Sequence, residues 1–219
     1  MVGKLRHIIF DVSGTLWDDK PQVINANLNV LRNNGFNKAP CGSKLTYEWL
    51  GSNLKGSCNE MFRFVGLDGE DKQLEGLYKA ELEQTSRTYP VVLFDGIGNL
   101  LAKINNRVGL SVISAHPQNR LEEDLKRLKV LDYFEDVFGS CHDKVELIRE
   151  SAKRVNQGEG VGVAYVGDTS SDMHAANKAG VMPIGVSYGY QNAAMIEQAK
   201  PAIVVPCVNS LGKYLESLI

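Results

Sequence analysis

Short apolar runs rich in β-branched and aromatic residues punctuate the chain, and most of what lies between them carries the spacing of amphipathic helices. His7-Ile8-Ile9-Phe10 reads as a strand covered on both faces, and it ends in a carboxylate, Asp11. Val-Ser-Gly-Thr then turns the backbone. Leu110–Ser114 predicts a second buried strand, Asp136–Gly139 a short third, Gly162–Gly167 a fourth, Val181–Val186 a fifth and Ala202–Val205 an edge strand. Helices are predicted over Ile97–Arg107 and after Pro117, where Leu121, Leu125 and Leu128 form one stripe. Another opens at Lys144 with Leu147, Ile148, Ala152 and Val155 inward, and Leu211–Leu218 forms the last. Strands alternating with helices imply an α/β fold with a doubly wound parallel sheet.

The stretch from Lys20 to Tyr89 breaks this alternation, because it holds no strand-like run. Asp18-Asp19-Lys20-Pro21 is a helix-start signal, followed by a helix to about Asn34 that Gly35 closes. Pro40, Gly42 and Ser43 mark a loop. Helical patches run from Tyr47 to Val65 and from Glu70 to Arg87, the latter with Leu74, Leu77, Tyr78 and Leu82 on one face. Pro90–Gly96 returns the chain to the alternating pattern. The expected organisation is a core domain of residues 1–17 and 91–219 with an all-helical insertion, residues 18–90.

Composition narrows the function classes. The 219 residues suffice for one large core with a smaller insertion, and 43% hydrophobic with 23% charged residues is ordinary for a globular protein. A net charge of −2 without a basic run offers no nucleic-acid surface. No apolar segment precedes the first strand and none approaches transmembrane length, so neither a signal peptide nor a membrane partner is expected. Cys41, Cys58, Cys141 and Cys207 lack metal-ligand spacing and read as free thiols of a cytoplasmic protein. The sequence does not fix the oligomeric state.

A carboxylate at the C-terminal end of a parallel strand lies where open α/β sheets bind ligands. Asp11-Val12-Ser13-Gly14-Thr15 resembles motif one of the haloacid dehalogenase superfamily, Asp-x-Asp-x-Thr, with Ser13 in place of the second Asp. The other motifs of that superfamily follow in order. Ser114 ends the second strand, Lys144 starts a helix, and Gly167-Asp168-Thr169-Ser170-Ser171-Asp172 is similar to Gly-Asp-x-x-x-Asp. The flanking MHAANKAGVMPIGVSYGYQ and LFDGIGNLLAKI resemble the phosphoglycolate-phosphatase-like branch.

The resemblance implies a Rossmann-like core with a helical cap between motifs one and two. The interval between Ser114 and Lys144 is already filled by a helix, a strand and loops. It implies a Mg²⁺-dependent phosphohydrolase acting on a small phosphorylated metabolite, with Asp11, Ser13 and Lys144 as the catalytic positions. Asp11 would attack phosphorus and form an aspartyl-phosphate. Asp11, Asp168, Asp172 and the backbone carbonyl of Ser13 would hold Mg²⁺, a hard cation that takes oxygen ligands. Lys144 would set a point charge on the phosphoryl oxygens. Thr15, Ser114, Ala115 and His116 would line the phosphate cradle. From the cap, Gly51-Ser52-Asn53-Leu54-Lys55 resembles a Gly-x-x-x-Arg segment that touches substrate, which makes Lys55 a substrate contact; a solvated helix lysine is the plain alternative.

Ser13 is the departure. In most phosphatases of the superfamily the second Asp protonates the leaving group and later activates water, work worth roughly 10²–10⁴-fold in rate. A serine hydroxyl cannot do this unaided at neutral pH, so activity weak or restricted to good leaving groups is expected unless another side chain supplies the proton. His116 is the first candidate. Phosphonoacetaldehyde hydrolases also lack the second Asp and form a Schiff base on a cap lysine, so carbon–phosphorus hydrolysis is one alternative. A phosphate-binding protein without turnover is another. Haloacid dehalogenases work without a metal, and an intact Asp168 argues against them.

Other features have plain structural readings. Gly158, Gly160 and Gly162 precede a strand instead of following one, so a turn fits them better than a dinucleotide loop. His7 and His174 read as core or surface residues, and His142 beside Cys141 lacks partners for zinc. Tyr188 and Tyr190 match an aromatic loop of the superfamily and read as structural.

Overall fold

The computed structural model describes residues 4–53, 57–141, 143–156 and 162–219. In chain order it runs β1 (His7–Phe10), β2 (Trp17–Asp18), α1 (Lys20–Asn33), α2 (Tyr47–Asn53), α3 (Cys58–Val65), α4 (Asp71–Thr88), β3 (Val92–Leu93), α5 (Ile97–Ile104) and β4 (Gly109–Ile113). It continues through α6 (Gln118–Arg127), a short 3₁₀ turn, β5 (Asp136–Phe138), α7 (Lys144–Asn156), β6 (Val163–Gly167) and α8 (Ser170–Ala179). The last elements are β7 (Met182–Val186), α9 (Ala193–Glu197), β8 (Ile203–Val205) and α10 (Val208–Leu218).

The chain divides into two compact units, Met1–Asp18 with Val92–Ile219, and Asp19–Val91. The first holds a six-stranded parallel sheet in the order β5-β4-β1-β6-β7-β8. This is the doubly wound order 3-2-1-4-5-6. The chain leaves β1 outward through β4 and β5, then returns to the other flank of β1 with β6. The topological switch point therefore falls between the C-terminal ends of β1 and β6, the place where such sheets bind ligands.

The apolar pattern explains these two strands. Ile8, Ile9, Phe10, Ala164, Tyr165 and Val166 have no exposed surface, as expected of central strands with helices on both faces. Ile9, Ile113 and Tyr165 pack with Ile148 and Ala152 of α7 and with Ala175 and Ala176 of α8. At the opposite end of the sheet, buried His7 bonds Ser111 Oγ through Nε2 (2.7 Å) and faces Glu135 across 3.8 Å. The row mimics a nucleophile, base and acid, but Ser111 is fully buried, so the group serves the fold.

The second unit is built from α1–α4 around a cluster that includes Ile24, Leu28, Leu31, Leu50, Phe62 and Leu74. Several details depart from the sequence-based expectations, including the unexpected α9 and a last helix that starts at Val208 instead of Leu211. The patch Tyr47–Val65 is two helices, because Ser57 caps α3: its Oγ accepts from Glu60 N and the Glu60 carboxylate accepts from Ser57 N. The unit boundary lies one residue further along at each crossing, because Trp17 and Asp18 pair antiparallel with Leu93 and Val92 and so belong to the sheet-bearing unit. Helix α5 ends at Ile104, short of Arg107.

Candidate active site

Asp11 follows β1 directly, its N–H donating to Val166 O (2.9 Å). The next residues wind tightly, with the N–H groups of Thr15 and Leu16 both reaching Val12 O (3.1 and 2.8 Å). Gly14 holds this turn at φ +73°, and a Cβ there would collide with the Asp168 carboxylate and press on the Tyr190 ring. Only glycine meets both demands.

Asp168 follows β6, beside Asp11 across the switch point. Its Oδ2 accepts from Tyr190 N (2.6 Å) and its Oδ1 from Thr15 Oγ1 (3.5 Å). Gly189 lies so close that a side chain would overlap Asp168 and Gly14 O. Asp172 sits in the first turn of α8, where it completes a capping box. Its Oδ2 accepts from Thr169 N (3.1 Å) and Thr169 Oγ1 (2.6 Å), and its N–H donates to Thr169 Oγ1 (3.2 Å). Tyr165 O–H donates to Asp172 Oδ1 (3.3 Å).

Lys144, first residue of α7, joins the cluster. Its Nζ donates to Asp11 Oδ1 (2.6 Å) and to Asp172 Oδ1 (2.7 Å). Oxygens of Asp11, Asp168 and Asp172 lie within 4.8 Å of one another, and all three residues are buried. Three carboxylates against this one ammonium leave an excess of negative charge in a low-dielectric place.

The acid–base state follows from that excess. Burial pushes the Asp11 carboxyl up to about 6, with Lys144 pulling it down and Asp172 adding to the rise. Burial also lifts Asp168 well above the carboxylate range, reinforced by Asp11 and Asp172 against the Tyr190 N–H. For Lys144, burial disfavours the ammonium, but Asp11, Tyr165 and Asp172 outweigh it and hold the amine above the ordinary lysine range.

A divalent cation fits this donor set. The oxygens are hard ligands gathered at one point, and their surplus charge is what a cation would neutralise. A cleft of about 270 Å³ reaches Lys144 and Asp172 from between α7 and α8, lined also by Thr169, His174 and Lys178.

The remaining sequence-predicted positions are distributed around the cluster. Ser13 is half-buried, and its Oγ lies 2.8 Å from His116 Nε2. Ser114 is buried at the end of β4, its Oγ accepting from His116 N (3.2 Å), with Ala115 exposed beside it. Thr15 is fully buried and its hydroxyl faces Asp168, an arrangement that orients the carboxylate. Lys55 and His142 lie outside the described residues, as do Gly158 and Gly160. Sequence reasoning missed Tyr165, hidden in a strand pattern, and the backbone N–H of Tyr190, which no residue type signals. Thr169-x-x-Asp172 was legible as a capping box, and reading it so would have placed the start of α8.

Comparison with known proteins agrees with this architecture. Residues 8–186 match the family described as haloacid dehalogenase-like hydrolase. A phosphoglycolate phosphatase of Pseudomonas fluorescens (strain Pf0-1) is 25% identical over 217 residues, covering 94% of this chain and 78% of that protein. One from Yersinia pseudotuberculosis is 26% identical over 213 residues, covering 92% and 89%. In structure, a haloacid dehalogenase-like family hydrolase from Streptococcus pneumoniae superposes with a TM-score of 0.77 at 19% identity, over 96% of this chain and 98% of that one, a likeness of fold. With a family match that takes in most of the chain, including Asp11, Lys144, Asp168 and Asp172, the chain belongs to the haloacid dehalogenase-like hydrolases.

Proposed function

We propose that the protein is a Mg²⁺-dependent phosphatase for a small phosphorylated metabolite, with Asp11 as nucleophile. The observation that carries this reading is the placement of Asp11. One carboxylate oxygen is held by Lys144 at 2.6 Å, at the switch point, with Asp168 and Asp172 closing a buried three-carboxylate cluster around it. The names of the similar phosphoglycolate phosphatases support phosphate-ester hydrolysis as the reaction class.

The roles divide by chemistry. Asp168 and Asp172, with Asp11 and the Ser13 carbonyl, would hold Mg²⁺, which when bound supplies a Lewis acid that neutralises phosphate charge. Asp11 displaces the leaving group and carries the phosphoryl as an acyl phosphate until water removes it. Lys144 keeps Asp11 ionised and offers its ammonium to the phosphoryl oxygens. Ser114 and the backbone around Ala115 provide hydrogen bonds to the same oxygens. The helical unit Asp19–Val91, with Lys55, is proposed as the cap that selects the organic part of the substrate.

A phosphate-release panel over common phosphorylated metabolites tests this, run with and without a chelator and with Asp11→Asn. Turnover that survives both chelation and Asp11→Asn would exclude the reading. Binding without release in every case would leave a phosphate-binding protein.

A further inference from the structure

The loss of the second carboxylate from motif one predicts a missing acid, yet Ser13 is not alone in its place. His116 Nε2 lies 2.8 Å from Ser13 Oγ, although the two residues are 103 positions apart. The residue is held through its backbone and its ring. Its backbone N–H donates to Ser114 Oγ (3.2 Å) and its carbonyl accepts from Ser140 N (2.6 Å). The ring packs edge-on against Trp17, with centroids 5.4 Å apart. Gly139 is required where it stands, because a Cβ there would press on His116 O and the Gln118 backbone. A histidine whose backbone is anchored and whose ring lies between Trp17 and a hydroxyl two residues beyond Asp11 is more than a surface histidine.

We infer that Ser13 and His116 form a two-residue proton relay that performs the acid–base work of the absent carboxylic acid. The inference rests on the reading of Asp11 as nucleophile. A hydroxyl can accept one hydrogen bond while donating another, so Ser13 can pass a proton without ever being ionised. In the first half-reaction an Asp11 oxygen bonds to phosphorus. The bond from phosphorus to the leaving oxygen breaks, and its electron pair stays on that oxygen. The leaving oxygen takes the Ser13 hydroxyl proton as Ser13 takes one from His116 Nε2, giving the free alcohol and a neutral imidazole. In the second half-reaction a water oxygen bonds to phosphorus. Its proton passes to Ser13, and the Ser13 proton passes to Nε2. The bond between phosphorus and Asp11 breaks, its electron pair returns to the carboxylate, and inorganic phosphate leaves. The imidazolium is restored and every proton is accounted for. Ser13 meets the reacting oxygen; His116 acts through it.

The relay makes the enzyme competent on esters with poor leaving groups, which a lone serine would not be. The test compares a simple alkyl phosphate with p-nitrophenyl phosphate in the full-length protein with Mg²⁺. His116→Gln should lower kcat on the alkyl ester by roughly 10²–10⁴-fold, with KM little changed and a much smaller loss on the aryl ester. Acid-quenched His116→Gln should also carry more covalent phosphate than wild type during aryl turnover, because hydrolysis of the acyl phosphate has slowed. In a Ser13→Asp background the carboxylate acts alone, so adding His116→Gln should have little effect. If Ser13→Asp fails to fold, Ser13→Ala serves: either single change breaks the relay, so the double variant should be no slower than the slower single one. Equal losses on both esters, the same factor in both Ser13 backgrounds, or a wild type active on the aryl ester and inert on the alkyl ester would overturn the relay. Asp11→Asn separates the two levels: undiminished turnover there overturns the nucleophile itself, whatever His116 does.

Discussion

Removing the ammonium of Lys144 should expose how much of the core is held against its own carboxylates. The Lys144→Met variant keeps the apolar stem and deletes the charge. In the native arrangement Nζ lies 2.6 Å from Asp11 and 2.7 Å from Asp172, with the two carboxylate side chains 8% and 3% exposed. Removing one partner of a buried ion pair costs roughly 3–5 kcal/mol, because the charges left behind are uncompensated. Burial already lifts the Asp11 carboxyl to about 6, so it can take up a proton, which relieves part of that, and the lower end, about 3 kcal/mol, is expected. For a chain of this size that is a fall in Tm of the order of 10 °C.

The sign with pH is fixed. Burial raises the folded-state pKa of Asp11, so its protonated form favours the folded state at low pH, and that contribution is lost as pH rises from the ordinary carboxylate range through about 6; Asp168 is shifted in the same direction. Without Lys144 the one ammonium that offsets the loss is gone and only hydrogen bonds such as the Tyr190 N–H remain, so the deficit of the variant should widen as pH rises through and beyond about 6. Saturating Mg²⁺ should recover part of it, by about 2.7 kcal/mol at a hundred times the Kd. Thermal unfolding of both proteins in chelated buffer across this range, then with added Mg²⁺, reads all three effects. A variant as stable as wild type, or a deficit that does not change with pH, would refute the reasoning that the cluster is an uncompensated charge site.

Gly14→Ala should weaken Mg²⁺ binding measured by calorimetry and lower stability by roughly 1–3 kcal/mol, because the new methyl meets the Asp168 carboxylate at a left-handed φ; unchanged affinity would mean that Asp168 has room to move. Lys55→Ala should raise KM for the natural substrate and leave a small generic phosphate ester unaffected; equal effects on both, or none, would return Lys55 to solvent. His7→Gln should flatten acid unfolding: burial lowers the His7 pKa despite Glu135 and Asp136, so stability present above about 6.5 is lost as pH falls through the histidine range, and an unchanged acid limb in the variant would place that loss elsewhere.

The strands that build the site were legible because their chemistry is one-dimensional. His7–Phe10 and Val163–Gly167 are buried throughout and mostly apolar, a pattern that central parallel strands require, and each is followed by its carboxylate. What was not legible depends on partners distant in sequence. Trp17 and Asp18 carry no strand signal of their own and pair only because Val92 and Leu93 arrive beside them. The break between α2 and α3 was written in Ser57-x-x-Glu60, but the apolar spacing across it reads as continuous helix. The Tyr190 N–H on Asp168 is a backbone group and has no residue identity to read.

Ser13 shows the same limit at the level of mechanism. Read along the chain, a serine in a carboxylate's position is a deletion for which His116 is only a candidate partner, since the contact between the two is not written in either residue. The sheet order brings the end of β4 beside β1, so the loop that carries His116 is delivered to the loop that carries Ser13 by the pairing of Phe10 with Val112. That pairing is set by apolar residues with no part in catalysis. Two positions that look independent in sequence, the serine two residues after Asp11 and the histidine two residues after Ser114, are neighbours in the fold. Their effects should therefore couple, and a change at either should be read only against the other.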